Sequence, residues 1–354
     1  MNAEIPGLDN LRTLIIYVVD KDTPVEEKVI ETICKLLPKL RVLAIAFSKK
    51  HDPIKQAEKF SFPESISMLK HLCYLAFRTS KACEVIWPSA LDKIEQIKML
   101  DFGCAKIYNI GRLSSLQERA ELRVRDEEGY ELHQLGGLNE LCGTLEIVGL
   151  EKVKTENEAV KAYLSLKKQL RKLTLRWPAP DCIPEVVQLA AVVLENLCPP
   201  VELQELEIHC YKASTYPSWM EDREGGDPMD LKHLCLMRFG QRGPPPKFVK
   251  AFSLLRELEI WQCKWDALPS NMKDLTFLEY LLIYECPYIK KLPTLPQSVK
   301  SFSLSHCNKE FMESCKIPGH KNYKKVQHIL DQNIDPKPVS SSGVFPPSYW
   351  ELDA

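Results

Sequence analysis

No run in this 354-residue chain approaches the roughly 18 apolar residues that a membrane span requires. The opening MNAEIPGLDNLRTL lacks the basic region and apolar core of a secretory leader. No Asn-x-Ser/Thr acceptor occurs anywhere in the chain. The 13 cysteines are dispersed, with no CxxC pair and no dense framework, which excludes a disulfide-stapled secreted scaffold. Reduced thiols in an intracellular compartment fit this pattern. The expected location is cytoplasmic, with the nucleus and the plasma-membrane periphery as alternatives.

Chemical signatures are missing as well. There is no GxxxxGK[ST] loop to cradle phosphates on backbone amides and no GxGxxG after a strand. The LGGLNE at 135–140 has two glycines but neither the spacing nor the lysine. No GxSxG elbow or HExxH pair is found, and nothing gathers histidines and carboxylates into a nucleophile–base pair. The expectation is therefore no enzyme and no cofactor.

Hydrophobic content of 45% and charged content of 27% are those of a folded chain, so wholesale disorder is excluded too. The net charge of −1 conceals a division. Residues 35–125 carry 17 Lys/Arg against 9 Asp/Glu, a balance of +8, and such a section on a long surface could dock an acidic partner or be simply solvated.

What the chain does have is a repeat. Twelve segments share one spacing, an apolar residue, two others, an apolar residue, one other and an apolar residue. Their middle anchors are Leu14, Leu43, Leu75, Leu100, Leu122, Leu145, Leu173, Leu206, Leu234, Leu258, Leu281 and Phe302, spaced 21 to 33 residues apart. That period is the leucine-rich repeat, in which each unit supplies one strand and buries its apolar face only by stacking on its neighbours. The fold class predicted is α/β, an irregular leucine-rich-repeat solenoid or horseshoe. About twelve short parallel strands would form one continuous concave sheet, and the convex side would mix helical and extended segments.

Three helices are expected. Thr23-Pro24 followed by Glu26 and Glu27 is a helix start, with Val25, Val29, Ile33, Leu36 and Leu37 on one face. A second would run from Asn157 to Leu170 with Ala159, Val160, Tyr163 and Leu164 buried. A third would begin after Pro184 and bury Val187, Ala190, Ala191, Leu194 and Leu197. The repeat domain is placed at 1–330, and 331–354, rich in Pro and Ser, is expected to be a disordered tail. The first repeat begins almost at Met1, so the sequence predicts that a further domain covers that edge or that the chain is a fragment.

Cys263, Cys286 and Cys307 each follow a strand's last anchor by three residues. This is the small inward position of the repeat, and the soft-metal alternative lacks paired ligand spacing. His306, Cys307, Cys315 and His320 match no common zinc spacing either, so no metal is expected.

The residue just after each strand's last anchor should point outward. In the second half these positions read Arg176, His209, Met237, Trp261, Tyr284 and Ser305, with Trp177 beside them. Aromatics, Met and Arg on an open sheet are the composition of protein-interface anchors. Cross-strand stacking of Trp261 on Tyr284 is the competing reading. Interleaved acids such as Glu207 and Glu259 oppose phosphate, so nucleic acid is not an expected partner.

The segment LSSLQERAELRVRDEEGYELHQLGGLNELCGTLEIVGLEKVKTENEAVKAYLSLKKQLRKLTLRW at 113–177 closely resembles the repeat region of plant coiled-coil, nucleotide-binding, leucine-rich-repeat disease-resistance proteins, the grass type especially. The likeness continues through LENLCPPVELQELEIHCYKASTYPSWM and LTFLEYLLIYECPYIKKLP to SVKSFSLSHC. The coiled coil and the nucleotide-binding switch domain of that family are absent. The resemblance implies the recognition and autoinhibition module of an intracellular immune receptor. Its partners would be a pathogen effector or guarded host protein, and a nucleotide-binding domain in cis or trans. It implies docking of the switch domain through early basic residues, here Lys49, Lys50, Arg78, Lys81, Lys98 and Lys106. Effector sensing would fall to later repeats, here Arg176, Trp177, His209, Met237, Trp261 and Tyr284. A truncated remnant or companion without signalling activity, and a substrate adaptor of a ubiquitin ligase, are the alternatives.

Overall fold

A computed structural model describes residues 10–18, 27–47, 59–79, 84–86, 96–103, 106–107, 109–117, 120–177, 184–221 and 229–334. The chain divides into two units. The first comprises Met1–Val148 and Lys152–Leu170, and the second Gly149–Glu151 and Arg171–Ala354.

The first unit contains β1 (Thr13–Val18), β2 (Val42–Phe47), β3 (Lys59–Ser61), β4 (Tyr74–Thr79), β5 (Glu84–Ile86), β6 (Met99–Gly103), β7 (Lys106–Ile107), β8 (Ala120–Arg123) and β9 (Gly143–Val148). Strands β1, β2, β4 and β6 form one parallel ladder, in which Leu14, Leu43, Leu75 and Leu100 occupy one register row. Leu43 and Leu75 are fully buried, as stacking of an apolar inner face requires. Strands β3, β5 and β7 make a second parallel ladder that the spacing argument does not foresee. Repeats that stack bring any extended backbone at equivalent places side by side, and its amide groups then pair.

Among the described residues the expected single continuous sheet is not found. β6 and β8 lie in different sheets, although Gln117 N–H still reaches the Lys98 carbonyl at 2.9 Å, so these repeats stay in contact there. The glycine pair of LGGLNE has a packing role. A Cβ on Gly136 would run into the Lys161 carbonyl, and one on Gly137 into the Gly111 carbonyl.

The second unit carries β10 (Leu170–Arg176), β11 (Glu205–His209), β12 (His233–Met237), β13 (Glu257–Trp261), β14 (Tyr280–Tyr284), β15 (Ser301–Ser305) and β16 (Asp331–Ile334). Leu173, Leu206, Leu234, Leu258, Leu281 and Phe302 are register partners in turn, and all are fully buried. Each of the twelve anchors lies within a strand. β16 adds a rung past the boundary placed at 330, while 335–354 lie outside the described residues.

Cys263, Cys286 and Cys307 form the expected inward ladder. Each Sγ reaches a carbonyl of the preceding repeat, Leu236 at 3.4 Å, Ile260 at 3.7 Å and Ile283 at 3.9 Å. Burial pushes the Cys307 thiol up to about 12, so it is a protonated donor rather than a thiolate.

The helices are α1 (Glu27–Leu36), α2 (Glu156–Val160), α3 (Pro184–Asn196), α4 (Ser218–Glu221), α5 (Phe248–Ala251), α6 (Lys309–Lys316) and α7 (Tyr323–Val326). α1 buries Ile30, Ile33 and Cys34, and Leu37 just after it is buried too, whereas Val29 and Leu36 are exposed and Val25 lies outside the described residues. The inward stripe is thus one residue further along than predicted, because Ile30 and Cys34 complete an i, i+3, i+4, i+7 face. The predicted helix to Leu170 stops after one turn, where Tyr163 adopts a left-handed φ of 48°. Val160 and Tyr163 are exposed there. α3 buries Ala190 and Leu194, and Leu197 just after it, as expected, whereas Val187 and Ala191 are only half-buried.

Candidate protein-binding face

Parallel pairing in the second unit sets the outward-pointing side chains in columns, two of which hold the predicted residues and their neighbours. The last column is Arg176, His209, Met237, Trp261, Tyr284 and Ser305, each the register partner of the next. The column before it is Thr174, Glu207, Cys235, Glu259, Leu282 and Ser303. At the usual spacing of parallel strands, six rungs span roughly 24 Å. The alignment read from spacing is therefore present.

The accessibility is not what the sequence led one to expect. His209, Met237 and Trp261 are 1%, 8% and 4% exposed, and only Arg176 and Tyr284 are half-buried. Cys235, Met237, Trp261 and Leu282 form an apolar cluster with Tyr280 and Tyr284 packed against it. The Trp261 and Tyr284 rings lie 4.9 Å apart, and Tyr284 contacts the His306 ring at 5.0 Å. Cross-strand stacking, the competing reading, describes these side chains: large neighbours one strand apart cover each other.

Trp177 does not extend the patch. One residue beyond Arg176, it turns to the opposite side. There it is buried, with its ring at 5.5 Å from that of Tyr211, in an aromatic line continued by Phe239 and Tyr216.

The cluster is bordered by charge. Lys172 Nζ lies 2.6 Å from Glu207 and 3.4 Å from Glu205, and His209 Nε2 is 3.3 Å from Glu207. Burial would raise the Glu207 pKa, but His209 and Lys172 outweigh it and hold the carboxyl well below the usual carboxylate range. Glu259 accepts from Trp261 Nε1 at 2.9 Å and faces His233 Nε2 at 3.6 Å. Burial pushes His233 down, yet the Glu259 carboxylate beside it leaves its pKa raised. These bonds fix the Trp261 ring from its polar edge while Tyr284 holds its side.

A row the sequence reading missed lies one residue past each strand. Cys210, Arg238, Gln262, Glu285 and His306 all adopt left-handed φ between 51° and 61°. Non-glycine residues at such angles cost about 1–3 kcal/mol each and persist where surrounding bonds over-determine them. Here the ladder does so: Cys210, Arg238, Gln262 and Glu285 donate backbone N–H groups to Met237, Trp261, Tyr284 and Ser305. Their side chains also link, Arg238 Nε to Gln262 at 2.6 Å and Gln262 Nε2 to Glu285 at 2.7 Å. With Lys212, Lys264 and Tyr288, the last four of the row, Arg238, Gln262, Glu285 and His306, line a groove of about 980 Å³. A polar residue recurring one place beyond the strand at the repeat period is the signal that would have found them.

Of the basic residues assigned to switch-domain docking, Lys98 is exposed immediately before β6. Arg78 and Lys106 lie in β4 and β7, and Lys49, Lys50 and Lys81 fall outside the described residues. No helix among the described residues is long and apolar enough to cross a membrane.

Comparison with known proteins follows the same lines. The family model described as R13L1/DRL21 LRRs matches residues 132–263. The disease resistance protein RGA2 of Solanum bulbocastanum is 26% identical over 259 residues, covering 62% of this chain and 26% of RGA2. The chain thus spans about a quarter of that relative's length. Among solved structures, a leucine-rich-repeat protein of Leptospira interrogans superposes with a TM-score of 0.50 at 16% identity, covering 92% of this chain and 91% of that one. TLR13, solved with ssRNA13, gives 0.54 at 14% identity over 94% of this chain and 45% of its own. These two likenesses show the leucine-rich-repeat fold.

Proposed function

From a chain that carries the leucine-rich-repeat region of plant disease-resistance proteins, we propose that it works in defence as a protein-binding module. The second unit's outward face would sense a pathogen effector or a guarded host protein, and the basic section around Lys98 would restrain a nucleotide-binding switch domain. The observation that carries the reading is the register row from Arg176 to Tyr284, part of which packs into the apolar cluster of Cys235, Met237, Trp261 and Leu282. A face whose large side chains are already packed loses little conformational freedom when a partner docks. Its accessible elements are Arg176, Tyr284 and the polar row Arg238, Gln262, Glu285 and His306, which offer an aromatic ring, a guanidinium and a carboxylate along one edge. Such a mixture suits a protein surface better than a phosphate backbone, since carboxylates interleave with the cations.

The test is co-expression in leaves with a panel of pathogen effectors and with the nucleotide-binding region of a relative such as RGA2, scoring cell death and co-purification. Tyr284→Ala combined with Glu285→Arg should reduce effector-dependent association at least about tenfold, a hot-spot-sized loss, with the circular dichroism spectrum unchanged. Lys98→Glu should weaken only the association with the nucleotide-binding region. Unchanged association in both variants would refute the assignment of these faces.

A further inference from the structure

Away from the outward face, the end of the second unit holds a concentration of positive charge that the proposed function leaves unused. Residues 286–330 contain eight lysines and two glutamates. Four of those lysines, Lys290, Lys291, Lys321 and Lys325, line one pocket of about 450 Å³. They reach it from three places, the turn after β14, the loop preceding α7, and α7 itself. Glu310 is the one carboxylate in the lining. Glu313, the other, faces Lys316 at 3.9 Å. Among the described residues no carboxylate pairs with Lys290, Lys291 or Lys321. A concavity lined by one sign of charge concentrates field and raises the local concentration of counter-ions.

The pocket is held in shape by Asn322, which is 6% exposed. Its Oδ1 accepts from Leu292 N–H at 3.1 Å, and its Nδ2 donates to the Lys290 carbonyl at 3.3 Å and to Ser314 Oγ at 2.8 Å. One buried amide thereby ties the Lys290–Leu292 turn, α6 and the start of α7 together. Lys325 Nζ is set by Thr294 Oγ1 at 2.9 Å. His320 Nδ1 accepts from Asn322 N–H at 3.1 Å, so in the neutral ring the hydrogen sits on Nε2, a further donor at the pocket. Asn322 thus fixes the backbone around the pocket, Thr294 holds Lys325, and the four lysines line one small volume. Such convergence suits a compact ligand of high charge, because lysine binds phosphate as a point charge with three donors. An extended acidic peptide would call for cations spread along a groove.

We propose that this pocket is a binding site for a compact polyvalent phosphate, either free or carried as the headgroup of a membrane lipid. It lies on different side chains from the protein-binding face and does not depend on that reading.

The test uses the full 354-residue chain and inorganic tripolyphosphate by titration calorimetry at about 50 and 500 mM NaCl. Binding should be saturable and should weaken with salt. Lys290→Gln/Lys321→Gln should weaken it at least about tenfold, while the charge-matched Lys300→Gln/Lys316→Gln should change it less than about twofold. Equal loss in both variants, or no binding to the unaltered chain, overturns the proposal. Two further arms separate the sources. Flotation with phosphatidylcholine vesicles containing a phosphoinositide, but not with vesicles of equal charge made with phosphatidylserine, identifies a headgroup. Absence of flotation alongside tripolyphosphate binding identifies a free ligand. Equal flotation with both vesicles, or tighter binding of poly-glutamate than of tripolyphosphate at matched charge, contradicts a compact phosphate site.

Discussion

In the first unit Ile15 and Tyr17 are 52% and 73% exposed on β1, next to Ala44 and Ala46 of β2. At the corresponding outward positions of the second unit, Met237 and Trp261 are 8% and 4% exposed, next to each other and to Tyr284. The inner faces of the two ladders are alike, with rows of buried leucines. Outward, an alanine methyl cannot reach across the strand spacing to cover a tyrosine ring, whereas Met, Trp and Tyr cover one another. Sheet position fixes where a side chain points. Its neighbours one strand away decide whether it stays in water.

The comparison can be broken most sharply by truncation. Trp261→Ala removes a ring that is both packed and hydrogen-bonded and should destabilise the second unit by about 3–5 kcal/mol in urea unfolding. Tyr17→Ala should change stability by less than about 0.5 kcal/mol, as for an exposed site. Similar losses at both positions would erase the distinction.

A smaller effect is expected from charge. Glu207→Gln leaves His209 without its carboxylate and Lys172 with Glu205 alone, and should cost about 1–3 kcal/mol by the same measurement. Because the folded Glu207 pKa lies below its ordinary 4.5, this contribution is present above that value and is lost as pH falls through the depressed pKa. No comparable loss should follow the removal of exposed carboxylates elsewhere.

The smallest effect is a pH slope on the alkaline side. The folded His233 pKa lies above its ordinary 6.5, so its pairing with Glu259 contributes fully below that pH and fades as pH rises through the raised pKa. The melting temperature of the unaltered chain should therefore fall as pH rises above 6.5, and His233→Gln should flatten that part of the curve.

The rungs were legible because a buried inner face needs aliphatic residues at fixed spacing, and all twelve anchors are strand residues. The column from Arg176 to Tyr284 was legible for the same reason, since register follows from stacking. Exposure was not, because it depends on partners 20 or more residues away in sequence; nothing local to Trp261 announces Met237 and Tyr284 as its cover. Trp177 was misplaced by counting a neighbour in sequence as a neighbour on the face. The left-handed row at Arg238, Gln262, Glu285 and His306 escaped because these are not the glycines that usually mark positive φ. The Lys290–Lys325 pocket escaped because its lysines are 35 residues apart and Asn322 brings them together only in the fold.

The claim that the second unit presents a pre-packed outward face is tested most directly by thiol labelling read peptide by peptide in a mass spectrometer. Cys235 lies in that face at 4% exposure, and an Ile15→Cys variant supplies a thiol on the outward face of β1. Under native conditions Cys235 should stay unmodified until the chain is unfolded, while the thiol at position 15 reacts at nearly the rate of a free peptide. Labelling of both positions at the same native rate would contradict the account.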